Sequence, residues 1–448
     1  MRRLLICALA MCPATLLPAQ TGDLWLFSGQ SNMELPVSRC MDVVSQDVAD
    51  YVCPQLHYKK VPLSYDFQGP RTELPASSWQ SLDEAQTAQG WGALCYFAGR
   101  YLHESTGKEI SIINSSVGGS PIEAWIPESF LPSYALEELE ECRDPEWMKR
   151  TLEHNSALYS EWQERHNSLA ADTKERWEKT DMFSRWGLDE NGETVYGSHL
   201  LRNTFTLKAS QCKADALLRL GAMCDADSTF INGHYVGNTT YMYPPRKYRV
   251  PAEYLKPGKN VVEIHLYATG QEGRFVPDKQ YCLETSAGTV QLTQGWQHKA
   301  GKRMPRRADQ VFLQYRAAGL YNAMIAPLAD IGPSLKGVVW YQGESNAANH
   351  TEEYAENLKT LIKTWRVLFR NENLPFYIVE LAAYEHSERQ TAQTSGWVRL
   401  QDIQRQVCEE MENVYLIPNR DLGEWNDIHP QDKKTLGRRV ADEILKTK

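Results

Sequence analysis

The chain has 448 residues, enough for two or three folding units at about 150 residues each. Hydrophobic residues make up 42% and charged residues 23%, an ordinary globular balance that excludes a disordered or fibrous chain. A formal net charge of -9, with no concentrated basic stripe, argues against nucleic acid as a partner.

The first twenty residues, MRRLLICALAMCPATLLPAQ, combine two arginines, a short apolar run and a small-residue boundary at Pro18-Ala19-Gln20. This is the pattern of a signal peptide over residues 1–19, too short to span a membrane, and it predicts an exported protein, periplasmic or extracellular. Lipidation at Cys12 is the weaker reading, because Met11 is a poor residue before a lipidated cysteine. No later apolar run approaches about 20 residues, so no integral membrane segment is expected.

Residues 24–33 read LWLFSGQSNM: a buried strand, then a turn at Gly29 that leaves Ser31 and Asn32 past the strand's carboxyl end. A plain helix cap would also use Ser or Asn at this place. GALCYFAGRYLHEST reads as a helix ending near Gly107, and ISIINSSVGG as a second strand with its own glycine turn. Strands alternating with helices imply a parallel sheet. Residues 128–187 are rich in Glu, Lys and Arg with apolar residues at helical spacing, which predicts one or two amphipathic surface helices. Residues 188–295 break into short strand-like runs separated by turns such as Asn232-Gly233, the spacing of an all-β sandwich.

From residue 296 the first texture resumes. GVVWYQGESN is strand then turn, TEEYAENLKTLIKTWRVLF an amphipathic helix, and PFYIVELAAY a strand. A helix over 397–411, a strand NVYLIPNR and a last helix KKTLGRRVADEILK follow. The expected organisation is one α/β unit, residues 20–187 and 296–448, interrupted by the helical segment 128–187 and a sandwich over 188–295.

Three strand ends share one design, an apolar run followed by a glycine turn with polar side chains: GQSN at 29–32, VGGS at 117–120 and YQGESN at 341–346. A fourth block, NDIHP at 426–430, places an Asp and a His before the last helix. Acyl transfer needs a hydroxyl, an imidazole to take its proton, a carboxylate to orient the imidazole, and fixed N–H donors for the oxyanion. Ser31, His429 and Asp427 fit the first three roles. The backbone of Ser31, Gly118 or Gly119 and the Gln342 amide fit the fourth. Asp421, closing NVYLIPNRD, and Glu344, beside Gln342, are rival orienting acids.

Eight cysteines lie beyond the signal segment. In an exported chain Cys40 with Cys53 would close the shortest disulfide loop, while Cys95, in an apolar helical pattern, reads as a buried thiol. No CxxC or HExxH occurs, so neither a metal nor a cofactor is expected.

The blocks GQSNM at 29–33, INSSVGGSPIEAW at 113–125, WYQGESN at 340–346 and DIHPQDKKTLGRR at 427–439 resemble those of the SGNH-hydrolase superfamily, in particular the sialate O-acetylesterase-like carbohydrate esterases. The resemblance implies a flavodoxin-like core with a parallel sheet, nucleophile Ser31, base His429, and removal of O-acetyl groups from sugars. Sialic acid is the favoured substrate, with acetylated xylan or another polysaccharide as the alternative. The wider superfamily commonly has its acid three positions before the histidine, where this chain has Asn426; Asp427 stands two before. Gln342 stands where many superfamily members use Asn, an exchange that keeps the primary amide. A non-catalytic carbohydrate-binding protein is the alternative of a different class.

Overall fold

A computed structural model describes residues 22–40, 48, 50–168, 176–384, 396–424 and 427–447; the expected signal segment and Asn426 lie outside the described residues. The chain forms a mixed α/β fold around a seven-stranded sheet. Its strands are β1 Asp23–Gly29, β2 Cys53–Lys60, β3 Gln80–Leu82, β4 Ile110–Ser116, β5 Leu335–Tyr341, β6 Phe376–Val379 and β7 Val414–Ile417. In space they run β7-β6-β5-β1-β4-β2-β3. All neighbours are parallel except the β2–β3 edge pair. Every residue of β1 and β4 is buried, as strands covered on both faces require.

Helices cover those faces. Ala93–Thr106 packs against Lys433–Lys446, and Tyr354–Leu368 against Gly396–Glu410. The register fixes what the strand ends can do. Gly29 lies opposite Ser116 on one side and Tyr341 on the other, so three of the polar turns leave the sheet at one level. Gly29 has φ +138°, and a Cβ there would stand 2.0 Å from the Tyr341 carbonyl oxygen, so the close approach of β1 to β5 demands glycine.

β2 and β3 were absent from the expected pattern. CPQLHYKK buries only every second or third residue and ends in two lysines, the signature of a strand near a sheet edge rather than of a core run. Set β2 and β3 aside, and the five remaining parallel strands are ordered 2-1-3-4-5 in chain sequence.

The charged segment after residue 128 forms two helices, Ser133–Arg143 and Pro145–Ser168. A second β region follows. Six strands pair in one sheet, with Gly197–Leu207 and Gly258–Ala268 at its centre, and four pair in another around Ala216–Leu220. Leu201, Phe205 and Ile264 of the first sheet share one apolar cluster with Leu218, Val250 and Leu283 of the second. The expected boundaries of this region, 188 and 295, fall inside its larger sheet, because Glu178–Lys179 pairs with Trp296–Arg303. Trp296 is buried in the insert's own core, which draws its strand there despite the polar run WQHKAGKR.

The disulfide expectation is corrected. Cys40 and Cys53 are both buried, and no disulfide joins them. Cys95 is buried, as expected of a thiol facing the core.

Candidate active site

The turn after β1 delivers Ser31 into a cleft of about 1010 Å³ between the core and the insert. Gly118, Gly119, Glu344, Ser345 and His429 line the same cleft from the core side. Ser31 Oγ lies 2.9 Å from His429 Nε2, so the hydroxyl can donate directly to the imidazole. On the far side of the ring, Asp427 Oδ1 stands 3.5 Å from His429 Nδ1 and accepts the His429 backbone N–H at 2.9 Å. The Nδ1 separation is at the outer edge of hydrogen bonding, a slack common in sites without substrate. Burial works against the Asp427 carboxylate, but the His429 hydrogen bond and the Lys279 ammonium outweigh it and hold the carboxyl below the usual range.

The rival acids are engaged elsewhere. Asp421 is an exposed partner of Arg439, at 2.7 and 2.6 Å. Glu344 Oε1 accepts from Asn32 Nδ2 at 2.5 Å, and Glu344 Oε2 is buried without a hydrogen-bond partner. Burial, partly offset by Asn32, pushes the Glu344 carboxyl up. Asn32 is itself braced: its Nδ2 also donates to the Ile428 carbonyl at 2.7 Å, and its Oδ1 accepts from buried Lys433 at 2.7 Å. Asn32, Glu344 and Lys433 thus tie three blocks together beneath the Ser–His pair.

The expected oxyanion donors divide. Gly118 lies beside Ser31, and its N–H donates to Glu34 Oε2 at 2.7 Å. Gly119 has φ +77° and is capped by the Tyr315 hydroxyl, which a Cβ would meet at 2.2 Å. Gln342 is not brought to Ser31. Its amide is buried and donates to the Ser120 carbonyl at 3.2 Å and Asn346 Oδ1 at 2.8 Å, while its Oε1 accepts from Tyr354. A position one residue past the buried strand β5 places Gln342 in the core, under the turn and not on its surface.

The insert supplies the opposite wall. Tyr241, Tyr243, Pro244 and Pro245 line the cleft, and the Tyr243 ring meets His429 edge-on at 5.0 Å between centroids. Burial pushes the Tyr243 phenol up to about 12, so it stays protonated at neutral pH. A fully buried pair, Arg246 to Asp227 at 2.8 Å, anchors this loop. The same guanidinium donates to the carbonyls of Met242 at 2.6 Å and Pro244 at 3.0 Å. Removing one partner of such a buried pair costs about 3–5 kcal/mol, so the loop is firmly placed.

Glu34 and Lys279 were not among the site residues expected from the sequence. Glu34 directly follows the GQSNM block, and that adjacency was the available signal. Tyr243 and Lys279 are brought in by the fold of the insert, and no local motif marks Lys279. Among the described residues, no group of three or more His, Cys, Asp or Glu is arranged to hold a metal ion, and no helix is long and apolar enough to cross a membrane.

A hydroxyl, an imidazole and a carboxylate in series at parallel strand ends form the apparatus that activates serine for acyl transfer. A family model described as carbohydrate esterase, sialic acid-specific acetylesterase, matches residues 21–146 and 284–446, more than half of the chain. The chain belongs to that family. Sialate O-acetylesterase of Mus musculus is 33% identical over 138 residues, covering 28% of this chain and 25% of the relative. The Homo sapiens protein of the same name is 33% identical over 134 residues, covering 27% and 25%. The matched stretch therefore spans about a quarter of the length of these curated relatives. A carbohydrate acetylesterase of known structure from Xanthomonas citri aligns over 94% of this chain and 55% of its own, at 21% identity and a TM-score of 0.48.

Proposed function

We propose that the protein is an exported, metal-independent serine esterase that removes O-acetyl groups from carbohydrate, with acetylated sialic acid as the favoured substrate. The observation that carries this reading is the 2.9 Å contact between Ser31 Oγ and His429 Nε2, backed by Asp427. Ser31 attacks the acetyl carbonyl while His429 takes its proton. His429 then returns that proton to the leaving sugar oxygen, and water, activated by the same imidazole, releases acetate from the acyl-enzyme. Asp427 stays ionised and stabilises the imidazolium.

The oxyanion is received by the backbone N–H groups of Ser31 and Gly119, with Gly118 joining when Glu34 releases it. Gln342 acts from below, bracing the Ser120 and Asn346 segments. The 2-1-3-4-5 strand order supports a flavodoxin-like SGNH core. The shared apolar cluster of the two antiparallel sheets supports a sandwich insert. Acetylated xylan remains the second substrate reading, since the cleft's aromatic wall suits a neutral sugar as well.

Turnover of p-nitrophenyl acetate by the wild type, lost in Ser31→Ala, is the direct test. An active Ser31→Ala variant overturns the assignment, and an inactive wild type favours a non-catalytic carbohydrate-binding protein. Acetate release from acetylated sialic acids against acetylated xylo-oligosaccharides separates the two substrate readings.

A further inference from the structure

Lys279 lies in the insert, outside the residues that the family model matches. Its side chain is only 3% exposed, yet its ammonium reaches across to the core loop that carries His429. There it stands 3.3 Å from Asp427 Oδ2 and pairs with Glu424 Oε2. The other Asp427 oxygen, Oδ1, is the one that faces His429. The two oxygens of one carboxylate are therefore divided between the insert and the imidazole.

We propose that Lys279 is a positioning residue for ester hydrolysis, clamping Asp427 from the insert side so that its other oxygen meets His429 Nδ1. The inference rests on the esterase reading above and deepens it. A single side chain of the insert completes the support of a triad whose three members all belong to the core. An ammonium between two carboxylates leaves one net negative charge in the loop where there would otherwise be two, whereas a carboxylate left alone there would draw a proton. A protonated Asp427 neither fixes the imidazole tautomer nor stabilises the imidazolium.

Several charged or titratable groups surround this pair. His429 and Glu424 come from its own loop, and Lys279 and Tyr243 from the insert. Glu344, from the turn after β5, and Lys433, from the last helix, complete the set. Lys279 is the cation of this set in contact with Asp427.

A tether that merely holds the insert to the core would produce the same contacts, and the pH profile tells the two apart. Lys279→Met removes the charge at similar volume. With p-nitrophenyl acetate, kcat should fall on the order of 10²-fold, the cost of a displaced catalytic group. The acid limb of kcat/KM should move upward by about one pH unit or more, because both Asp427 and the imidazole then hold protons more readily. Lys279→Arg should restore most of the rate and return the limb. Glu424→Gln leaves the ammonium to Asp427 alone and should move the limb downward, a result that stands even where Lys279→Met does not fold. A folded Lys279→Met with an unmoved acid limb overturns the proposal, as does a Glu424→Gln limb that stays in place. Ser31→Ala runs beside them as the control. If it remains active, the esterase reading fails; if it is dead while both limbs stay fixed, only the role of Lys279 fails.

Discussion

In the core sheet the residues that meet at the cleft sit two to four positions past strand ends: Ser31 after Gly29, Gly118 after Ser116, Ser345 after Tyr341. A continuous parallel ladder aligns those ends, so backbone pairing fixes their relative places. In the insert, Tyr241 and Tyr243 ride on a loop between strands, held by the guanidinium of Arg246 and the carbonyls it gathers. One wall is set by register and the other by a side-chain clamp. Register tolerates little, because β1, β4 and β5 each lie between two paired neighbours. A clamped loop can exchange its exposed residues while the clamp persists. Under the proposed esterase reading, bond-breaking falls to the core wall and sugar recognition to the insert wall.

The largest effect that sharpens this division comes from the triad acid. Asp427→Asn should slow p-nitrophenyl acetate turnover by about 10²–10⁴-fold, because the amide favours the wrong imidazole tautomer. Glu344→Gln should cost far less, since Glu344 bonds Asn32 and not the imidazole. Single-turnover rates of the two folded variants check this, and the reverse ranking would move the acid to Glu344.

On the insert wall, Tyr241 is 44% exposed and takes a hydrogen bond from Arg39 at the rim. Tyr241→Ala should lower kcat/KM for an acetylated glycan by about tenfold, the loss of one aromatic contact of roughly 1.4 kcal/mol. The small chromogenic ester should suffer much less. Equal losses on both substrates would make the insert a buttress and dissolve the division.

The smallest effect concerns stability. Glu344 has its carboxyl pushed up by burial, so its ionised form weakens the fold once pH exceeds the unfolded value of about 4.3. Glu344→Gln should therefore gain thermal stability relative to wild type as pH rises from 4 to 7. For Asp427 the shift is downward, so its contribution is present above the unfolded value of about 3.9 and is lost as pH falls through the lower folded one. Melting curves at pH 4 and pH 7 test the first sign, and a Glu344→Gln difference that shrinks with pH contradicts it.

The core half of the site was legible in the sequence because its signals are local. LWLFSGQSN, ISIINSSVGG and GVVWYQGESN each carry strand and turn together, and parallel pairing leaves their ends one place to go. Ser31 could be picked out on that ground, and Asp427 and His429 from the NDIHP block before the last helix. Gln342 was expected at the oxyanion, whereas its amide turns into the core, because the sequence places it in the turn but does not say which way the side chain leaves a buried strand. The pull of the insert's core on Trp296 was likewise invisible, and it moved the insert's boundary. Lys279 had no signal, since its role depends on a contact 148 residues away along the chain. Strand β2, next to the sheet edge, was missed because its burial pattern is too mixed for either period.

The central claim is that Ser31 is a nucleophile made reactive by His429. A fluorophosphonate that phosphonylates activated serines, followed by peptide mass spectrometry, tests it without any assumption about the sugar. The added mass should fall on the peptide bearing Ser31 in the wild type, with turnover lost in proportion to labelling. In His429→Ala the labelling rate should collapse while the protein stays folded. Labelling of a different serine, or of Ser31 at an undiminished rate in His429→Ala, would contradict the account.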